Sequence, residues 1–149
     1  MNPAYEPLFT PFSIRNTRIK NRYFMAAMGT VTHNDEDGAY LPDAVDYFVR
    51  RAVGLIITGA NWVDNNIEVH SPGSFPCPTI CPGKYIKAAR ELTDRVHAFD
   101  TKIFVQLTAG LGRSAMPAMI HDRKFVAPST ISNRWNPRIE CRELTTEEV

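Results

Sequence analysis

The sequence predicts an α/β fold, the N-terminal portion of a (β/α)₈ TIM barrel with an N-terminal β-hairpin and the first three strands only. Extended and helical segments alternate along the chain, which is typical of a parallel sheet. The long loops all follow the strands, whereas the connections that precede the strands are short. This asymmetry is expected of a barrel whose active site is built by the loops at the C-terminal ends of the strands.

The predicted elements start with a short β-hairpin over residues 12–20, in which apolar residues flank a polar turn around Asn16. An extended run near residues 22–27 follows as the first barrel strand, and it ends close to Gly29, where the chain can turn. The next stretch, residues 30–40, is polar and is predicted to be a solvated loop.

A helix near residues 42–52 is indicated by a proline in its first turn and by apolar residues at the spacing of one helical face. The apolar, β-rich run near residues 53–58 follows almost directly and is typical of a strand buried on both faces. Asparagine, proline, serine and glycine are frequent in residues 59–83, which predicts a long irregular loop.

A second helix near residues 84–99 has an apolar face, predicted to include Ile86 and Phe99, opposite a charged face. The mostly apolar run near residues 102–107 is predicted to be the third barrel strand. Residues 108–144 contain several prolines and are predicted to form another long loop.

Thr145 and Glu148 have the spacing of a capping box, which predicts that a further helix starts there. Three strands and two helices are too few to cover both faces of a parallel sheet. We therefore expect residues 1–149 to be part of a larger domain and to be inactive alone, since a barrel of this type takes roughly 250 residues to close.

The composition argues against several other classes of protein. Of the 149 residues, 44% are hydrophobic and 22% are charged, and the net charge is +1, as in an ordinary globular domain. No charge run favours nucleic acid or a membrane surface, and no apolar stretch reaches the roughly 20 residues of a membrane span. The three cysteines form no C-x-x-C pair, so reduced thiols are expected. Residues 1–11 have neither the basic start nor the apolar stretch of a signal peptide, so a cytoplasmic location is expected. The four histidines share no metal-ligand spacing, so no metal site is predicted.

Four segments of the chain carry a family resemblance. They are Leu8 to Arg22, Met25-Ala-Ala-Met-Gly29, Gly54-Leu-Ile-Ile-Thr-Gly59, and Gln106-Leu-Thr-Ala-Gly-Leu-Gly-Arg113 followed by Ala127-Pro-Ser129. In order and spacing they resemble the N-terminal part of the old yellow enzyme family of flavin-dependent NAD(P)H oxidoreductases. Any one of these motifs is weak, but four in register over essentially the whole chain are specific.

Residues 108–109, 133–137 and 141–144 look more like the branch of that family that contains enoate, 2,4-dienoyl-CoA and bile-acid reductases. The resemblance implies a partial FMN-binding barrel domain over residues 1–149, with NADH or NADPH as reductant and a small enone or enoate as substrate. An iron–sulfur cluster is implied only for a longer form. The expected protein partner is a second copy of the chain or the remainder of the barrel, with no nucleic acid and no membrane.

Carried over residue by residue, the resemblance implies flavin contacts at the ends of the three strands. Ala26, Ala27 and Met28 would lie beside the ring, Ala60 would approach it from the second strand, and Gln106 would bond the pyrimidine edge. A glutamine amide suits that edge, which presents a donor and an acceptor together. Without the resemblance, a glutamine that caps loop backbone and alanines that pack tightly are the simpler interpretations.

The function implied by the resemblance is that of an ene-reductase, in which flavin takes hydride from NAD(P)H and passes it to an α,β-unsaturated carbonyl compound. In the family, the proton donor and the substrate-carbonyl donors come from later strands, so the catalytic residues of this chain are unknown. The alternative is a truncated, non-catalytic β/α module that keeps the fold without flavin. An absorption spectrum separates the two.

Overall fold

The computed structural model describes residues 2–29, 34–35, 38–63, 67–68, 84–120, 122 and 124–149. Most of the loop predicted over residues 59–83 lies outside these ranges, as do the two cysteines at 77 and 81 and the histidines at 33, 70 and 121. Among the helices that are described, none is long and apolar enough to cross a membrane. The same ranges contain no cluster of three or more potential metal ligands.

The described residues form short strands and two α-helices. In chain order they are β1 (Phe12–Ile14), β2 (Thr17–Ile19), β3 (Phe24–Met28), α1 (Pro42–Val49), β4 (Leu55–Trp62), α2 (Lys84–His97), β5 (Lys102–Thr108), β6 (Val126–Ala127), β7 (Ile131–Ser132) and β8 (Glu140–Glu143). Strands β1 and β2 pair as an antiparallel hairpin. Strands β3, β4 and β5 form a parallel sheet with β4 in the centre, which is the β/α arrangement that the sequence predicts.

Helices α1 and α2 cover one face of the parallel sheet. Their shared core consists of Tyr40, Ala44, Val45, Phe48, Ile56, Tyr85, Leu92 and Val96. Met25 of β3 and Ile103 of β5 are register partners of Ile56 and pack against the same cluster. The side chains of neighbouring strand positions therefore point to the opposite face, away from the helices.

Several element bounds differ from the sequence prediction. The helix predicted over 42–52 ends at Val49, because the amides of Arg51 and Ala52 bond three residues back in a tight turn that leads into β4. The strand predicted over 53–58 runs from Leu55 to Trp62, because its ladder with β5 continues to the register pair of Trp62 with Thr108. The loop prediction for residues 59–62 was therefore wrong.

The apolar face of α2 is narrower than its sequence pattern predicts. Ile86 and Phe99 were expected in the core, but they are 52% and 53% exposed. Contact with the core follows Tyr85, Leu92 and Val96, and Ile86 lies one position off that stripe. Phe99 lies two residues beyond the last helical residue, where the chain turns toward β5.

The long loop predicted over 108–144 contains a small mixed sheet. Strand β8 pairs in parallel with β6 and antiparallel with β7. These strands are two to four residues long, too short to show an alternating pattern in the sequence. The sheet packs on an apolar cluster of its own, formed by Ala115, Ile120, Phe125, Ala127 and Cys141. The capping box of Thr145 and Glu148 is present, and it starts a short 3₁₀ turn over Thr146–Glu148.

Candidate functional site

The C-terminal ends of β3, β4 and β5 form one edge of the parallel sheet. Met28 is the register partner of Thr58, and Ala60 is the register partner of Gln106. The structure thus brings the predicted site positions of all three strands to the same end of the sheet. Met28 is 53% exposed, and Ala26, Ala27 and Gln106 are also exposed, whereas Ala60 is half-buried.

An extra residue interrupts the ladder on two strands just before this edge. On β3, the register shifts between Met25 and Met28, and on β4 it shifts between Ile57 and Ala60. An extra residue of this kind bends a strand and re-aims the side chains that follow it. Both shifts occur where the site residues begin, so the edge is irregular at the positions where a ligand would meet it.

Gly59 allows β3 and β4 to approach closely at the edge. A Cβ atom on this residue would lie 2.6 Å from Gly29 Cα and 2.7 Å from the Met28 carbonyl oxygen. Both contacts are with backbone, so a side chain here would force the two strand ends apart.

The backbone amide of Gln106 is hydrogen-bonded within the protein, whereas its side-chain amide is not bonded to any described residue. Its amide N–H donates to the hydroxyl of Thr58 at an N···O distance of 3.2 Å. The exposed side-chain amide forms no hydrogen bond within the described part of the chain. Ala60 and Gln106 lie on the sheet face opposite to Asn61, which contacts the helix side of the sheet. The amide of Gln106 is therefore available to a ligand at that face.

A buried polar network lies directly behind the edge. Asn61 is fully buried and accepts hydrogen bonds from the hydroxyls of Tyr40 and Tyr85. Burial raises the pKa of both tyrosines, so they are neutral donors at neutral pH. Thr58 and Asn61, which support the site from behind, were not among the residues predicted from the sequence. No local sequence signal indicated them, because Asn61 lies in the stretch predicted as a loop and its partners are distant in sequence.

The loop after β4 contacts the loop after β5 through Glu68. Its carboxylate is 1% exposed and accepts a hydrogen bond from the Leu111 amide at 2.6 Å. Burial raises the pKa of Glu68, although hydrogen bonds from the amides of Leu111 and Gly112 act in the opposite direction. No feature of the sequence indicated this contact.

The edge suits a flat, polar ring. Small residues at positions 26, 27 and 60 let backbone come close to a planar ligand, and Gln106 offers a donor and an acceptor side by side. The imide edge of a flavin presents the complementary acceptor and donor, so the residues present fit FMN.

A three-stranded parallel β/α sheet with a hairpin at one end is the arrangement expected of the first part of a (β/α)₈ barrel protein. Residues 7–149 match the family described as the NADH:flavin oxidoreductase / NADH oxidase family. The chain belongs to this family, and the resemblance inferred from the four sequence segments is confirmed.

Two curated relatives show how much of a family member the chain represents. The chain is 45% identical over 152 residues to cinnamate reductase of Clostridium sporogenes, a match that covers 100% of this chain and 23% of the relative. It is 34% identical over 148 residues to NADH oxidase of Thermoanaerobacter brockii, with coverage of 95% and 21%. The chain thus spans about a quarter of the length of these relatives.

Solved structures confirm the fold. Old yellow enzyme from Pichia sp. AKU4542 aligns with a TM-score of 0.77 and 24% identity over 95% of this chain and 38% of its own. The old yellow enzyme homologue from Zymomonas mobilis aligns with a TM-score of 0.74 and 25% identity over 95% and 40%. The chain is therefore the N-terminal portion of such a barrel, as predicted.

Proposed function

We propose that this chain provides the FMN-binding first part of an NAD(P)H-dependent ene-reductase. The observation that carries the proposal is the exposed edge at which Met28, Ala60 and Gln106 come together, in a chain that belongs to a flavin oxidoreductase family. Loops at this end of the strands build the active sites of barrel enzymes.

Each predicted site residue has a binding role in this proposal. The Gln106 side-chain amide pairs with the pyrimidine edge of the ring. This amide is exposed and has no hydrogen-bond partner among the described residues, so it can bind a ligand. Ala26, Ala27 and Met28 lie beside the ring, and Ala60 supports it from the central strand. FMN, when bound, supplies the hydride chemistry, while the protein supplies position and hydrogen bonds.

The substrate class proposed is a small α,β-unsaturated carbonyl compound, in particular an aryl enoate. The 45% identity to a cinnamate reductase supports this choice over a saturated substrate. The reductant is NADH or NADPH, and the location proposed is the cytoplasm.

We further propose that additional strands and helices of the barrel cover β5. They would come from the same polypeptide or from a second copy of the chain. Val105 and Leu107 on this edge strand are 50% and 54% exposed, which leaves apolar surface that further elements would bury.

The test is an FMN titration of the purified protein at its full natural length, followed by flavin fluorescence and the visible spectrum. We expect stoichiometric binding, bleaching of the flavin by NADH or NADPH without oxygen, and reoxidation by cinnamate with formation of the saturated acid. A protein that takes up no FMN would instead be the non-catalytic module.

A further inference from the structure

We propose that Thr58 and Asn61 are positioning residues that hold the backbone of Gln106 in place for flavin binding. A chain of hydrogen bonds connects the hydroxyls of Tyr40 and Tyr85, through these two residues, to the Gln106 amide. All of them are buried except the last, which is partly buried. The inference rests on the proposed function, because it concerns the same site.

Asn61 is the centre of the network and has no remaining hydrogen-bonding capacity. Its Oδ1 accepts from Tyr40 Oη at 3.1 Å and from Tyr85 Oη at 2.5 Å. Its Nδ2 donates to Thr58 Oγ1 at 2.9 Å and to the Gly59 carbonyl at 2.8 Å. An amide offers two acceptor sites and two donors, so all four are used and the orientation of the side chain is fixed.

Thr58 connects the fixed Asn61 side chain to β5 through hydrogen bonds. Its hydroxyl donates to the Gly59 carbonyl at 2.9 Å and accepts from both Asn61 Nδ2 and the Gln106 amide. The register between β4 and β5 shifts between Ile57 and Ala60, so the regular ladder is interrupted beside Gln106. The Thr58 hydroxyl therefore serves as acceptor for an amide at the point where the ladder is irregular.

This arrangement predicts a specific consequence for ligand binding. Gln106 is exposed and its side chain forms no hydrogen bond with described residues, so the position of its amide group depends mainly on its backbone. Removing the Thr58 hydroxyl leaves both the Gln106 amide and the Asn61 side chain short of a partner, and the strand end can shift relative to Ala60.

The experiment compares two substitutions of Thr58, of which only the change to valine is isosteric, in the purified protein at its full natural length. Thr58→Val removes the hydroxyl beside the site, and Thr58→Ser retains it. Thr101→Val is the matched control, because Thr101 is also buried and its hydroxyl donates to the Val53 carbonyl at 2.6 Å, at the other end of the sheet. Tyr85→Phe, which removes one donor to Asn61, is a milder variant in case Thr58→Val does not fold.

The readouts are the dissociation constant of FMN, the visible spectrum of the bound flavin and the melting temperature of the apoprotein. We expect Thr58→Val to weaken FMN binding about tenfold and Tyr85→Phe about threefold, with Thr58→Ser and Thr101→Val within about twofold of wild type. If Thr58→Val and Thr101→Val lower the melting temperature alike and neither changes FMN affinity, the network only stabilises the fold and the inference is wrong. Wild-type protein that takes up no FMN would overturn the proposed function and this inference together.

Discussion

The two ends of the parallel sheet both contain buried, hydrogen-bonded polar groups, but they differ in the polar side chains at their rims. At the N-terminal end, Lys20 Nζ donates to the carbonyls of Ala52 and Phe99, which follow the two helices, and the Thr101 hydroxyl donates to Val53. At the C-terminal end, the Gln106 side chain is exposed and makes no hydrogen bond with described residues. Lys20 and Thr101 thus link segments of the chain at one end, whereas the other end has an exposed amide that, in our proposal, contacts FMN.

Because of this difference, substitutions at the two ends should separate effects on the stability of the fold from effects on FMN binding. Polar groups that are satisfied internally contribute to the free energy of unfolding, whereas exposed groups at the other edge contribute little to it. Substitutions at the N-terminal end should therefore change stability alone. Substitutions at the C-terminal edge should change FMN affinity.

The largest effects are expected from two glycines at opposite ends. Gly59→Ala places a Cβ against the backbone of Met28 and Gly29, and Gly54→Ala places one 2.5 Å from the Asn21 carbonyl oxygen. Each should lower the free energy of unfolding by about 1–3 kcal/mol in chemical denaturation. Only Gly59→Ala should also weaken FMN binding more than about tenfold, or more than 1.4 kcal/mol. Equal losses of affinity in both variants would refute the separation.

The next effect is on affinity alone. Gln106→Leu should weaken FMN binding by about 1–3 kcal/mol, because the polar edge of the ring loses its partner. The free energy of unfolding should stay within about 0.5 kcal/mol of wild type, since the side chain is exposed. Lys102→Leu, at the other end of β5, is the matched control and should leave the affinity unchanged. Fluorescence titration and denaturation of the same samples give both numbers.

A smaller effect is expected at the stabilising end. Lys20→Met removes the ammonium group that bonds to two carbonyls and should lower the free energy of unfolding by about 1–2 kcal/mol. FMN affinity of the folded protein should remain within about twofold. Lys20→Arg keeps the charge and should recover part of the stability in the same denaturation experiment. A large loss of FMN affinity in Lys20→Met would show that the two ends are coupled.

The smallest effect concerns pH. Burial raises the pKa of Glu68, so the folded protein holds this proton more tightly than the unfolded chain. The resulting stabilisation is complete below the unfolded pKa and is lost as pH rises through the raised folded pKa. Glu68→Gln keeps an acceptor for the Leu111 amide but does not titrate. Denaturation from about pH 4 to about pH 7 should show wild type losing stability relative to Glu68→Gln. If the free energy of unfolding depends on pH equally in wild type and Glu68→Gln, the raised pKa of Glu68 is contradicted.

The order of strands and helices could be predicted because buried parallel strands are apolar runs and α1 has a regular apolar face. The extension of β4 to Trp62 could not be predicted from the sequence. Gly59 and Asn61 are typical of loops, and their place in a strand depends on contacts with β3, Tyr40 and Tyr85 that no local pattern shows. The strands of the 108–144 region are stabilised by an apolar cluster gathered from distant positions, which is equally invisible locally.

The candidate site shows the same limit. The positions of Met28, Ala60 and Gln106 at one edge follow from parallel strand order, which the sequence predicted. Their proposed contacts with flavin came from the family resemblance and remain predictions. The residues behind them, Thr58 and Asn61, could be assigned only from the three-dimensional structure, because their partners lie on three different segments of the chain.

The central claim is that the C-terminal edge of β3, β4 and β5 binds FMN. Hydrogen–deuterium exchange of the purified, full-length protein, with and without FMN, tests it most directly. We predict that FMN slows exchange of the amides in residues 26–29, 58–62 and 106–111 and leaves the hairpin of β1 and β2 unchanged. Binding that protects the hairpin and not the strand ends, or the absence of any protection at saturating FMN, would contradict the account.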